Sequence, residues 1–168
     1  MRIWLLPASL FIFFAGLYLL TASPIDSFPQ TSAVAGEMDL RSLDLNNGTV
    51  ALGGQWEFYW KRFLDPGVSA QPDAFVKLPA SWNGTVIGHQ TLEGNGWATY
   101  RLRLHLPADG RFALKLPDLG TAYRLFANDR MIFASGMPAD SFENMKPGYR
   151  TGIALLPEER EIELTLHV

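Results

Sequence analysis

The sequence contains no cysteine. That removes disulfide staples, thiolate nucleophiles and cysteine-built zinc sites together. It also lacks any run of lysine or arginine, and its 14 basic residues are outnumbered by 17 acidic ones. A nucleic-acid surface therefore has no electrostatic footprint here, and no such partner is expected. Charged residues are scarce at 18%, whereas apolar residues reach 48%, a balance that buries a core and excludes a disordered chain. Sustained helical periodicity is missing after the first twenty positions, and no internal repeat is visible.

Catalytic signatures are missing too. There is no HExxH motif, no EF-hand loop and no G-x-S-x-G elbow, since Phe133 and Ala134 precede Ser135-Gly136. The histidines, His89, His105 and His167, are scattered, and alternation puts His105 and His167 on solvent faces of strands. Glu57, Glu93, Asp118 and Glu143 are separate along the chain, so no facing carboxylate pair can be assigned for glycoside chemistry. The sequence predicts no catalytic residue, no metal site and no cofactor for this chain.

What is present begins with an apolar terminus. Met1 and Arg2 supply a positive start, and Ile3 to Leu20 then carries no charge. That run is longer than a signal peptide's apolar core, about 7–15 residues, and near the lower limit for a membrane span. Residues 1–22 read as a helical signal anchor or signal peptide. Retention is favoured, because cleavage after Ala22 would put Leu20 at the −3 position, where a small residue is needed. The membrane is thus an expected partner through Ile3 to Leu20, with everything after it outside the cytoplasm. Residues 23–36, with Pro24 and Pro29, read as a linker, and 37–168 as the folded domain. The last strand stops at Val168 without a turn or polar tail, so this domain is expected to continue into a longer parent chain.

Period-two alternation dominates the folded part. In Trp97 to Leu106, Ala98, Tyr100, Leu102, Leu104 and Leu106 point one way, and Thr99, Arg101, Arg103 and His105 the other. Gln55 to Lys61 alternates similarly around Trp56, Phe58 and Trp60, and the final stretch around Ile162, Leu164, Leu166 and Val168. Such strands have one buried and one wet face. Further strands are expected at 75–78, 111–116, 122–127, 131–134 and 149–156, with a hairpin turn at Asn128-Asp129. A single helical turn is expected at 60–64. Many short strands between turns predict an all-β sandwich or jelly roll.

Aromatic residues carry the best lead for binding. Flat aromatic faces beside amides and guanidinium groups suit a small carbohydrate ligand. Trp82, Asn83 and His89, then Trp97 and Tyr100, flank a glycine-rich loop, and Arg124 and Arg150 lie in strands that could reach the same end. These seven are the candidate ligand-binding residues. For Trp82 and Trp97, anchoring of loops is the competing role.

The landmarks have a familiar order. Leu52-Gly53-Gly54-Gln55-Trp56-Glu57-Phe58-Tyr59-Trp60 is followed by Leu78-Pro79-Ala80-Ser81-Trp82-Asn83, Gly96-Trp97-Ala98-Thr99-Tyr100-Arg101 and Ala122-Tyr123-Arg124-Leu125-Phe126-Ala127-Asn128. This order resembles the extracytoplasmic sensor region of bacterial seven-transmembrane receptors with diverse intracellular signalling modules. It is also similar to the sugar-binding jelly-roll lobe of family-two glycoside hydrolases, a galactose-binding-like sandwich. The first resemblance implies a signal-transduction protein of the bacterial inner membrane, with the domain on the periplasmic or extracellular side. Transmembrane and signalling modules of the same parent chain, such as a histidine kinase or nucleotide cyclase, would then be its partners. The second implies a non-catalytic lobe of an exported hydrolase. The turn Asn128-Asp129 departs from the Asn-Gly usual in these domains.

Overall fold

The computed structural model describes residues 31–45, 48–108 and 110–168. The apolar run Ile3 to Leu20 and most of the expected linker lie outside the described residues. Among those residues the chain is all-β, with eleven strands and no helix.

One large sheet organises the molecule. β2 (Gly54–Trp60), β3 (Ala74–Leu78), β6 (Ala98–His105), β8 (Tyr123–Ala127), β9 (Arg130–Ser135) and β11 (Glu161–His167) run in the spatial order β3-β2-β6-β11-β8-β9. Each neighbouring pair in that order is antiparallel. β1 (Glu37–Asp39) lies parallel to the second half of β6, on the edge whose first half pairs with β2. The approach to β1 is tight. Ala33 exchanges backbone hydrogen bonds with Gly53 and Gln55, and Gly54 sits between them at φ 110°. A Cβ on Gly54 would collide with the backbone of Ala33, so only glycine fits. Two smaller pairs complete the fold: β7 (Ala113–Leu116) with β10 (Gly152–Leu155), and β4 (Val86–Ile87) with β5 (Gln90–Thr91).

The alternating apolar residues do what their spacing predicts. Trp56 and Phe58 of β2, Ala98, Tyr100, Leu102 and Leu104 of β6, and Ile162, Leu164 and Leu166 of β11 are all buried. They form one core with Tyr123, Leu125 and Ala127 of β8. Leu116 of β7, Ala154 of β10 and the adjoining Leu156 close over them, giving the two layers of a β-sandwich. Each fully buried leucine contributes about 1.5–3 kcal/mol.

Part of the opposite face of the sheet is covered as well. Tyr59, Thr99, Arg101, Thr165 and His167 are buried there, each at most 5% exposed. Residues 61–73, joining β2 to β3, lie across this face as a strap. Arg101 donates from Nη1 to the Val68 carbonyl at 2.6 Å and from Nη2 to the Asp65 carbonyl at 2.7 Å. Thr99 Oγ1 donates to the Arg62 carbonyl at 2.7 Å and accepts from the Leu64 amide at 3.0 Å. The Gly67 amide donates to Glu163 at 3.2 Å, and His167 Nε2 lies 2.9 Å from the Leu64 carbonyl. The Arg101 guanidinium also stacks 5.3 Å from the centre of the Tyr59 ring. Burial, with the Glu57 carboxylate accepting from its hydroxyl at 2.6 Å, pushes the Tyr59 phenol up to about 12.

Three expectations are corrected here. His167 is buried under the strap, because backbone carbonyls from 61–73 supply acceptors to this face in place of water. His105 is only partly exposed, with a 20% exposed side chain between Glu37 and Glu161. The expected helical turn at 60–64 is replaced by this strap. Lys61 adopts φ 52°, turning the chain out of β2 and back over the sheet.

Replacing Arg101 with leucine removes the guanidinium bonds to the Val68 and Asp65 carbonyls, leaving Asp65 only the Val68 amide as donor. The cost should be about 3 kcal/mol, since each charge-assisted bond contributes about 1.5–3 kcal/mol. Urea denaturation should show that loss, with a smaller one for Arg101→Lys, which lacks the second donor arm.

Candidate functional site

Two tryptophans, Trp60 and Trp82, meet where β2 ends, and a third, Trp97, immediately precedes β6. Trp60 closes β2 opposite Ala98, the first residue of β6. The Trp82 ring meets Trp60 edge-on, with centroids 5.7 Å apart and planes at 63°. The Trp82 indole N–H donates to the Glu93 carbonyl at 3.0 Å, which ties the start of the long loop to its end. Trp97 receives Lys61 from both directions: the Lys61 amide donates to the Trp97 carbonyl at 2.9 Å, and the ammonium lies 5.7 Å from the ring centre. Gly96 lies flat against the Trp60 ring, and any Cβ there would overlap it.

The stretch 81–96 is more ordered than its composition indicates. Gly84 N–H donates to Leu92 O, Thr85 N–H to Trp82 O and Leu92 N–H to Thr85 O, all at 2.8–2.9 Å. The β4–β5 hairpin grows from this frame, and Leu92, 1% exposed, pins it to the core. His89 stands exposed at the hairpin tip, beside Gly88 at φ 59°. Asn83 is exposed, and its amide donates to Ser81 Oγ at 3.2 Å. Trp82, Asn83, His89 and Trp97 are thus carried by one loop system, with Trp82 and Trp97 partly buried.

Three candidates stand elsewhere. Tyr100 is a correction: only 4% exposed, it packs 4.9 Å from the Phe58 ring inside the core. Burial alone drives its phenol well above the ordinary range. A ligand cannot reach it, because its place in the β6 alternation is an inward one. Arg124, on β8, is opposite His167 of β11 on the strap-covered face. Arg150 precedes β10, and its guanidinium lies 5.1 Å from the centre of the Phe133 ring on β9. Trp82, Asn83 and His89 thus lie on the 81–96 stretch, with Trp97 just after it, whereas Tyr100 lies in the core and Arg124 and Arg150 belong to β8 and the approach to β10. Lys61 and Trp60 belong to the corner and were missed as site residues. Their signal was only that β2 ends in an aromatic and a cation.

Two clefts lie away from this corner. One, of about 310 Å³, is lined by Arg41, His105, Leu106, Ala108, Arg160 and Glu161. Its arginine is already engaged: Arg41 Nη2 pairs with Asp39 at 2.6 Å, which holds that carboxyl well below the usual range. The other, about 440 Å³, is a groove between β9 and β10 bordered by Met131, Ile132, Ile153 and Leu155. Among the described residues, no cluster of three or more histidine, aspartate or glutamate side chains is arranged to hold a metal ion.

No family model matches the chain, and no curated protein matches it. Solved structures do. A Faecalibacterium prausnitzii β-glucuronidase aligns with 70% of this chain at 21% identity and a TM-score of 0.51. A Ruminococcus gnavus β-glucuronidase, in complex with uronic deoxynojirimycin, aligns with 70% at 16% identity and a TM-score of 0.50. In both cases the match spans 20% of the other chain. At these identities the likeness is one of fold: this chain has the topology of a single lobe of much larger enzymes.

Gly96→Ala should displace the Trp60 ring and loosen the corner. The expected outcome is a shift and loss of intensity in near-ultraviolet tryptophan circular dichroism, with the far-ultraviolet β signal retained. An unchanged tryptophan spectrum would contradict the close packing described.

Proposed function

We propose that this chain is a non-catalytic jelly-roll module of a larger exported protein, and that its loop corner at Trp82, Asn83, His89 and Trp97 contacts a small carbohydrate. One observation carries the reading. The chain shares its fold with a lobe that makes up only 20% of two carbohydrate-processing enzymes. The exposed surfaces support it as well. Trp82 and Trp97 keep part of their surface open beside an exposed amide and an exposed imidazole. An aromatic platform with adjacent hydrogen-bonding groups is the chemistry that sugars select. The lobe of an exported glycoside hydrolase is the parent this favours.

The second reading is the extracytoplasmic sensor of a membrane receptor. The uncharged run Ile3 to Leu20 and the landmark order favour it. In that setting the same corner would take the signal ligand, and the output would lie in membrane and cytoplasmic modules of the parent chain. Alkaline carbonate extraction of membranes separates a retained anchor from a cleaved leader. The receptor reading requires the full chain to stay in the membrane pellet, and the hydrolase reading requires its release.

Calorimetric titration tests the ligand. Glucuronate, galactose, glucose and their short oligomers should include at least one binder. Its affinity should fall about tenfold or more in Trp82→Ala or Trp97→Ala, given that an aromatic contact contributes about 0.5–1.5 kcal/mol beyond its area. Flat traces for the whole panel would remove the carbohydrate assignment.

A further inference from the structure

An asparagine followed by glycine is chemically labile, because the glycine amide reaches the asparagine side chain without a Cβ of its own in the way. Two such pairs stand in the 81–96 stretch, Asn83-Gly84 and Asn95-Gly96, and the fold treats them differently. We infer that Asn95 is a site of spontaneous deamidation in the native protein, that Asn83 is protected, and that conversion of Asn95 loosens the tryptophan corner. The inference does not depend on the proposed carbohydrate contact.

The reaction needs no partner but water. The Gly96 amide gives its proton to solvent base, and its nitrogen attacks Cγ of Asn95. A five-membered succinimide closes as the Cγ–Nδ2 bond breaks, and the side-chain nitrogen takes a proton from solvent and leaves as ammonia. Water then opens the ring. Attack at Cγ gives an ordinary aspartate. Attack at the main-chain carbonyl gives isoaspartate, whose backbone runs through Cβ and Cγ and is longer by one carbon. One water is consumed, one ammonia is released, and nothing is oxidised or reduced.

The step demands a free amide nitrogen beside a free carboxamide, and Asn95-Gly96 has both. The two residues are exposed and belong to no strand. Among the described residues, neither the Gly96 amide nor the Asn95 side chain makes a hydrogen bond. At Gly84 the same nitrogen is occupied. Its N–H donates to the Leu92 carbonyl at 2.9 Å, and Leu92 is fixed in the core. The bonds from Thr85 N–H to Trp82 O and from Leu92 N–H to Thr85 O hold the chain on both sides of that contact. Taking the proton from Gly84 therefore breaks a hydrogen bond that the core maintains, whereas taking it from Gly96 breaks none.

The position of Asn95 gives the modification a structural outcome. Gly96, the next residue, packs so closely on the Trp60 ring that a Cβ there would overlap it. Trp60 is held from its other sides: its amide donates to Asp73 at 2.8 Å and its ring meets Trp82 edge-on. Trp97 follows, with its carbonyl accepting from the Lys61 amide at 2.9 Å. An isoaspartate at position 95 adds one backbone carbon immediately before this fixed pair. The seat of Gly96 on Trp60 then shifts, and the packing of Trp60 against Trp82 loosens with it.

Peptide mapping by mass spectrometry tests the site. The full chain is incubated in mildly alkaline buffer, and aspartate and isoaspartate peptides are separated by chromatography at successive times. Acid products should form faster at Asn95 than at Asn83 by between about twofold and tenfold, the factor that one hydrogen bond's net strength represents. In urea the ratio should fall towards one, because both glycine amides are then free. Equal rates in the folded chain, faster loss at Asn83, or a ratio that urea leaves unchanged would overturn the assignment. Near-ultraviolet tryptophan circular dichroism reads the consequence. Its intensity should fall in step with isoaspartate at position 95 and hold steady in Asn95→Gln, whose longer side chain closes a ring far more slowly. A constant signal while isoaspartate accumulates, or an equal decay in Asn95→Gln, would overturn the link to the corner.

Discussion

Arg101 sets the terms for one whole face of this sheet. Its position in β6 points it away from the apolar core, where a guanidinium would ordinarily reach water. Instead it is 4% exposed. A buried guanidinium must have acceptors, and none of the neighbouring strands has a spare one, because their carbonyls are used in the ladders. The strap supplies them as the carbonyls of Asp65 and Val68. The strap then has its own backbone to satisfy, and Thr99, Glu163 and His167 do so from the sheet side. Each layer thus completes the other. The sandwich has a hydrophobic layer on one face of its main sheet and a hydrogen-bonded cover on the other.

That arrangement couples distant parts of the chain. The hydrophobic core depends on surface area and tolerates small displacements, whereas hydrogen bonds are lost over tenths of an ångström. The strap is therefore the more brittle of the two layers. Its ends are tied to Trp60 and Trp97, and through Trp60 to Trp82, so the loop corner inherits its order from a segment that never enters the core. The β4–β5 hairpin has an independent anchor in Leu92.

These differences explain what could be read from the sequence. The apolar face was legible in full, since Trp56, Phe58, Leu102, Leu104, Ile162 and Leu164 announce themselves by period and hydropathy. The covered polar face was not. Thr99, Arg101 and His167 look like solvent-facing residues because the groups that meet them are mostly main-chain carbonyls, which any sequence possesses. β1, β4 and β5, two or three residues long, are too short to show a period. Trp82, Asn83, His89 and Trp97 are near one another in the chain, and that proximity alone singled them out as candidates. Tyr100 shares its parity with Leu102 and Leu104, so its inward position was already written in the alternation. Arg124 and Arg150 belong to strands whose place in the sheet no local pattern reveals.

The carboxylates of the described residues are largely engaged in holding the fold. A general acid or nucleophile needs a carboxyl group that faces a cleft and is free to gain or lose a proton. Glu57 accepts from Tyr59, Asp73 from the Trp60 amide, Glu163 from Gly67, and Asp118 from the Gly120 amide. Glu37 pairs with Arg103, Glu158 with Arg111, and Glu159 accepts from Asn128. Each of these fixes a turn, a strap or a strand end. Glu161 does line a cleft, but its nearest polar partner there is His105 at 3.7 Å, on the cleft's own wall. The exposed faces of Trp82 and Trp97 are not engaged in this way, and the proposed ligand contact draws on them.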